Sequence, residues 1–69
     1  MPLTLLQPGE VKTIVRVSGN EKTKRHLENL GFVPGATVSI IQQINGNVIV
    51  NLMDSRIAIS CEMANKIHV

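Results

Sequence analysis

The stretch Leu30-Gly31-Phe32-Val33-Pro34-Gly35 decides the fold of this chain, because it ends a helix and starts a strand within a few residues. Gly31 follows the last helix-compatible residue, where a left-handed backbone is common and glycine adopts it without a Cβ clash. With Leu30 as the C-cap, Leu27 and Phe32 occupy the two positions whose side chains meet in a Schellman motif. The sequence therefore predicts a helix that stops at Leu30, with Phe32 folded back onto Leu27.

The second half of the stretch predicts a tight turn over Val33-Pro34-Gly35-Ala36. Pro34 fixes φ at the second position of this turn, and Gly35 supplies a positive φ at the third, which are the requirements of a type II turn. A strand is then expected to leave the turn in a new direction.

One helix is predicted before the stretch, at about residues 21–30. Asn20 is a good N-cap, and Glu21 is favourably placed in the first turn of the helix. The face expected to cover the rest of the domain, at about 100° per residue, contains Thr23, His26, Leu27 and Leu30. Lys22, Arg25 and Asn29 lie on another face of the same helix.

The remainder of the chain is typical of short strands joined by tight turns. Five runs rich in β-branched residues cover positions 11–17, 36–44, 48–53, 56–59 and 66–69. Asn45-Gly46 is a strong hairpin signal, and Asp54-Ser55 predicts a second reversal. Residues 1–69 are therefore interpreted as one mainly β domain, a small five-stranded barrel, closed or nearly closed, with one inserted helix.

Composition excludes several classes of function. The chain has one aromatic residue and a net charge of only +2, so it lacks the stacking platforms and the strong basicity of nucleic-acid binders. The same lack of aromatic residues argues against a groove for proline-rich peptides. The single cysteine, Cys61, cannot form an internal disulfide, which favours the cytoplasm. No apolar run is long enough to span a membrane or to act as a signal peptide.

The sequence also gives little support for catalysis or for a built metal site. The candidate nucleophile is Cys61, with His26 or His68 as its base, and Cys61 is interpreted instead as a small, partly buried apolar residue. Potential metal ligands are not spaced as they are in local metal sites. No residue is therefore assigned as a metal ligand, and no cofactor is expected to be required. A weak surface site for iron, zinc or manganese is left open. Met53 and Met63 are interpreted as core residues.

The densest basic cluster lies on the predicted helix and consists of Lys22, Lys24, Arg25 and His26. Two interpretations have equal weight: a solvated helix face, or a docking patch for an acidic protein surface. Lys22 and Arg25 are the candidate partner-binding residues. His26 is expected to be packed or hydrogen-bonded at the edge of the apolar face rather than bound to a metal.

Several motifs, taken in order, resemble one family. They are Leu5-Leu6-Gln7-Pro8-Gly9-Glu10, Arg25-His26-Leu27-Glu28-Asn29-Leu30, the Gly-Phe-Val-Pro-Gly turn, Ile57-Ala58-Ile59 and Ile67-His68-Val69. In these motifs the chain resembles the FeoA-like proteins, the small cytosolic accessory subunits of bacterial ferrous iron transport. The resemblance implies an SH3-like barrel that docks on the cytosolic GTP-binding part of the FeoB transporter and meets the membrane only through that partner.

Two other functions remain open on the sequence. One is a metal-responsive regulatory module similar to the barrel domain of iron-dependent repressors, although nothing in 69 residues supplies a helix-turn-helix. The other is a generic interaction barrel that pairs through an open strand edge, including with a second copy of itself. The sequence predicts no enzyme activity and no nucleic-acid partner.

Overall fold

Short strands and two helices make up the computed structural model, which describes all residues from 1 to 69. The strands are β1 (Val11–Thr13), β2 (Arg16–Val17), β3 (Thr37–Ile44), β4 (Asn47–Leu52), β5 (Ser55–Ser60) and β6 (Ile67–His68). The helices are α1 (Glu21–Leu30) and α2 (Cys61–Ala64), and a 3-10 turn covers Leu3–Leu5. The mainly β class and the inserted helix at residues 21–30 are therefore confirmed.

The strands form two antiparallel sheets. The larger sheet has the order β1-β3-β4-β5, and the smaller one pairs β2 with β6. The predicted five-stranded barrel is thus corrected to six strands in two sheets that do not close into one continuous ladder. The predicted first strand splits because its backbone changes partners: the Ile14 N–H donates to Ala36 O, whereas the Val15 N–H donates to His68 O.

Two tight turns with positive φ angles join the three longest strands. Asn45 (φ 42°) and Gly46 (φ 83°) connect β3 to β4, at the predicted hairpin. The next turn lies one residue earlier than predicted, at Met53 (φ 49°) and Asp54 (φ 71°). Met53 is 68% exposed, so its interpretation as a core residue is wrong. Its place at the tip of a two-residue turn directs the side chain to solvent.

A single apolar core lies between the two sheets, α1 and the N-terminal segment. Its members are Leu3, Leu6, Ile14, Leu27, Phe32, Ala36, Val38, Ile40, Val48, Val50, Leu52, Ile59, Ala64 and Ile67. Cys61 and Met63 are partly buried and pack against this core, as the sequence predicts. None of the helices is long and apolar enough to cross a membrane.

Candidate interaction surface

Helix α1 begins at a side-chain cap. The Asn20 carboxamide oxygen accepts a hydrogen bond from the Thr23 N–H at 2.8 Å, and Glu21 lies in the first turn. An acidic residue at this end interacts favourably with the helix dipole. The start of α1 is therefore fixed by the Asn20 cap, which lies outside the helix itself.

The end of α1 has the hydrogen bonds of a Schellman motif. The Gly31 N–H donates to Glu28 O at 2.9 Å, and the Phe32 N–H donates to Leu27 O at 3.0 Å. Gly31 has a φ of 106°, the left-handed conformation that the sequence predicts for it. Leu27 and Phe32 are both completely buried in the core. This arrangement anchors the C-terminal end of the helix to the body of the domain.

The turn that follows is tied to the first strand. The Ala36 N–H donates to Val33 O at 3.1 Å across the turn, and Gly35 has a φ of 93°. The Gly35 N–H donates to Ile14 O at 2.8 Å, at the residue where the first strand changes sheets. The helix end and the turn therefore form one hydrogen-bonded unit, which we call the helix-end seam (residues 27–36).

The outer face of α1 is exposed and polar. A shallow depression on this face is lined by Glu21, Lys22, Arg25, His26 and Asn29. We call these residues the α1 surface. Both candidate partner-binding residues, Lys22 and Arg25, therefore border the same feature. The sequence also places Asn29 on this face, but it assigns His26 to the apolar face. His26 follows Lys22 by four residues and so lies on the same side of the helix as Lys22.

The buried face of α1 is narrower than the sequence predicts. Of the four residues expected to cover the domain, only Leu27 is buried; Thr23 is half-buried, Leu30 is 36% exposed and His26 is exposed. The expectation that His26 is a packed residue is therefore wrong. Leu27 is the helix residue that reaches the core, next to the buried Phe32, and the rest of the predicted apolar stripe lies nearer the surface.

His68 is the titratable residue whose pKa is clearly shifted by its surroundings. It faces Arg16 across the β2–β6 pair, and its Nε2 lies 3.1 Å from Ser18 Oγ. Partial burial lowers the pKa of His68 below its ordinary value of 6.5, and the positive charges of Arg16 and of the N-terminal ammonium lower it further. His68 is therefore neutral in the folded protein at pH values where it would already be protonated in an unfolded chain.

Potential metal ligands do not converge in this structure. No group of three His, Cys, Asp or Glu side chains is placed to hold a metal ion. A structural zinc site takes four such ligands, and a catalytic one takes three. The residues of this chain therefore do not fit a built transition-metal site.

Comparison with known proteins identifies the family. A family model described as the FeoA domain matches residues 1–69. The chain belongs to the FeoA family. No curated protein matches the sequence significantly.

Solved FeoA structures share the fold. The crystal structure of an iron uptake regulatory protein (FeoA) superposes with a TM-score of 0.88 at 25% identity, covering 97% of this chain and 91% of that one. The zinc complex of FeoA from Stenotrophomonas maltophilia, described as a prokaryotic SH3 domain protein, gives a TM-score of 0.83 at 23% identity, covering 97% of this chain and 86% of that protein. These values support an SH3-like arrangement of the two sheets.

A regulatory protein contains the same fold. A manganese-dependent transcriptional repressor matches with a TM-score of 0.86 at 16% identity, and the match covers 97% of this chain but only 39% of the repressor. At this identity the likeness concerns the fold alone. It shows that a domain of this shape also occurs as one part of a larger, DNA-regulating protein.

Proposed function

We propose that this protein is a non-catalytic, cytoplasmic accessory factor of bacterial ferrous iron uptake that docks on the cytosolic GTP-binding part of a FeoB-type transporter. The observation that carries the proposal is the match to the FeoA domain over residues 1–69. The S. maltophilia relative is described as a candidate activating factor for bacterial ferrous iron transport, which is a role of the same kind.

The α1 surface is the proposed docking site. Lys22 and Arg25 are both exposed and border one depression, while the adjacent seam fixes the helix through buried side chains and backbone hydrogen bonds. A surface that is already ordered before binding loses little conformational entropy on association. Exposed cations on such a surface favour a partner patch rich in Asp and Glu, and they raise the rate of encounter.

No metal ion takes part in the proposed docking step. The S. maltophilia protein was crystallised as a zinc complex, whereas no group of three His, Cys, Asp or Glu side chains converges in this chain. Iron enters the proposed function as the cargo of the transporter.

A pull-down from native membranes, with the tagged protein as bait, tests the proposal. We expect the ferrous iron transporter to be recovered at low salt and lost as the salt concentration rises, because exposed charge pairs are screened. Recovery of a DNA-binding repressor instead would favour the regulatory alternative suggested by the shared repressor fold. Failure to recover any transporter would contradict the accessory role.

A further inference from the structure

The two edges of the larger sheet differ in how they are protected. In strand β1, Lys12 pairs with Val38, which is 1% exposed, so the lysine lies on the core side of the sheet at its edge. A charged residue that points inward from an edge strand opposes pairing with another chain. The β1 edge is also only three residues long before the backbone changes sheets.

Strand β5 forms the opposite edge and has no such protection. It pairs with β4 through six consecutive register positions without a bulge, and it contains no proline. Its core-side residues are Ile57 and Ile59, and its one charged residue, Arg56, lies on the outer face. A long, regular edge of this kind is a template for pairing with a further strand.

The alternation of hydrogen-bonded residues along β5 shows which of its backbone groups face away from β4. The Cys61 N–H donates to Gly46 O at 2.8 Å, immediately after the strand ends. Since bonded pairs recur at every second residue of an antiparallel ladder, Ile59 and Ile57 also bond to β4. The backbone N–H and C=O groups of Arg56 and Ala58 therefore point away from the sheet, and both residues are exposed.

We propose that β5 pairs antiparallel with β5 of a second copy of this chain, with Ala58 on the two-fold axis. This goes beyond the transporter-docking function and does not depend on it. In this register Arg56 faces Ser60 of the other copy, and Ile57 faces its Ile59, so no like charges oppose each other. The pairing extends two four-stranded sheets into one of eight and covers the half-exposed Ile57.

Sedimentation of the purified chain over a micromolar to millimolar concentration series tests this pairing. We expect a monomer–dimer equilibrium that Ala58→Lys and Ala58→Pro each weaken by about tenfold or more, through like-charge repulsion and the loss of interchain hydrogen bonds respectively. Neither substitution removes a bond to β4, because the Ala58 N–H faces outward. Thr13→Lys on the exposed β1 edge is the matched control and should leave the equilibrium unchanged.

Cross-linking provides a second readout that does not depend on affinity. With Cys61 replaced by serine, Ala58→Cys should form a disulfide-linked dimer when oxidised glutathione is added as the electron acceptor, because facing residues of a hydrogen-bonded antiparallel pair lie about 5.5 Å apart, within disulfide range. Thr13→Cys in the same background should cross-link much more slowly. A wild type that stays monomeric at millimolar concentration, or equal effects of the changes at positions 58 and 13, would overturn the proposal.

Discussion

The helix-end seam and the α1 surface are formed by neighbouring residues of one segment, yet they differ in burial, hydrogen bonding and charge. The seam holds two completely buried side chains and consecutive backbone hydrogen bonds, whereas the α1 surface is exposed and lined by charged and polar groups. Stability should therefore depend on the seam, and partner binding on the surface. This small domain separates the two tasks by placing binding on the exposed side of α1 and stability at the C-terminal end of that helix.

The largest expected effect is the loss of Phe32. Its side chain is completely buried at the centre of the seam, and Phe→Ala changes in protein cores cost about 3–5 kcal/mol. Phe32→Ala should therefore remove much of the stability of this domain in urea unfolding, while Val33→Ala, at a residue that is 38% exposed, should change it far less. Similar losses for the two variants would contradict the claim that the buried side chain of Phe32 stabilises the seam.

A smaller effect is expected at the glycine that ends the helix. A Cβ at position 31 would adopt a strained φ of 106° and would lie 3.2 Å from Leu52 Cδ2, so Gly31→Ala should cost roughly 1 kcal/mol or more. Gly35→Ala is the matched control, since φ there is 93° but nothing lies within 4 Å of the added Cβ. Thermal melts should show the larger drop in Tm for Gly31→Ala. A Gly31→Ala melt that overlays the wild type would refute the seam assignment.

The sequence was informative about the seam because its signals are local. Gly31, Pro34 and Gly35 each meet a backbone requirement that neighbouring residues define, and the Asn45-Gly46 hairpin is read in the same way. The split of the first strand could not be predicted from the sequence. It depends on hydrogen bonds from Ile14 and Val15 to residues distant in sequence, Ala36 and His68.

For the α1 surface, the sequence predicts which residues share a face of the helix but not how deeply that helix packs. Helical periodicity gives the relative directions of Lys22 and Arg25, but the depth to which a helix packs depends on the shape of the core beneath it. Only Leu27 reaches that core, so His26 joins the exposed surface instead of the buried face. No pattern within the ten residues of the helix specifies this depth.

The stability of the domain should depend on pH through His68 but not in the same way through His26. Because the pKa of His68 is lowered in the folded state, the unfolded chain binds more protons just below pH 6.5, and stability should fall as the pH drops through 6.5 toward the folded pKa. His68→Gln should flatten this part of the stability profile in urea titrations at stepped pH. His26→Gln, on the exposed α1 surface, is the control that should retain it. An unchanged slope in His68→Gln would show that other groups produce the dependence.

Metal removal should have no effect on the fold. Since no three potential ligands converge and one apolar core holds the elements together, folding should not require metal, unlike in small zinc modules. Amide NMR spectra of the purified protein with and without EDTA should superimpose. Collapse of the amide dispersion on adding the chelator would mean that a metal ion stabilises the domain.

The most direct test of the division between seam and surface measures binding and stability on one variant. Lys22→Glu with Arg25→Glu reverses two exposed charges, which contribute about 1 kcal/mol or less to stability, so its melting curve should stay close to that of the wild type. Titration calorimetry against the isolated cytosolic GTP-binding domain of the transporter, at low salt, should show clearly weaker binding and a smaller salt dependence. Wild-type affinity in the double variant would contradict the assignment of docking to the α1 surface, and no binding by the wild type would contradict the accessory function itself.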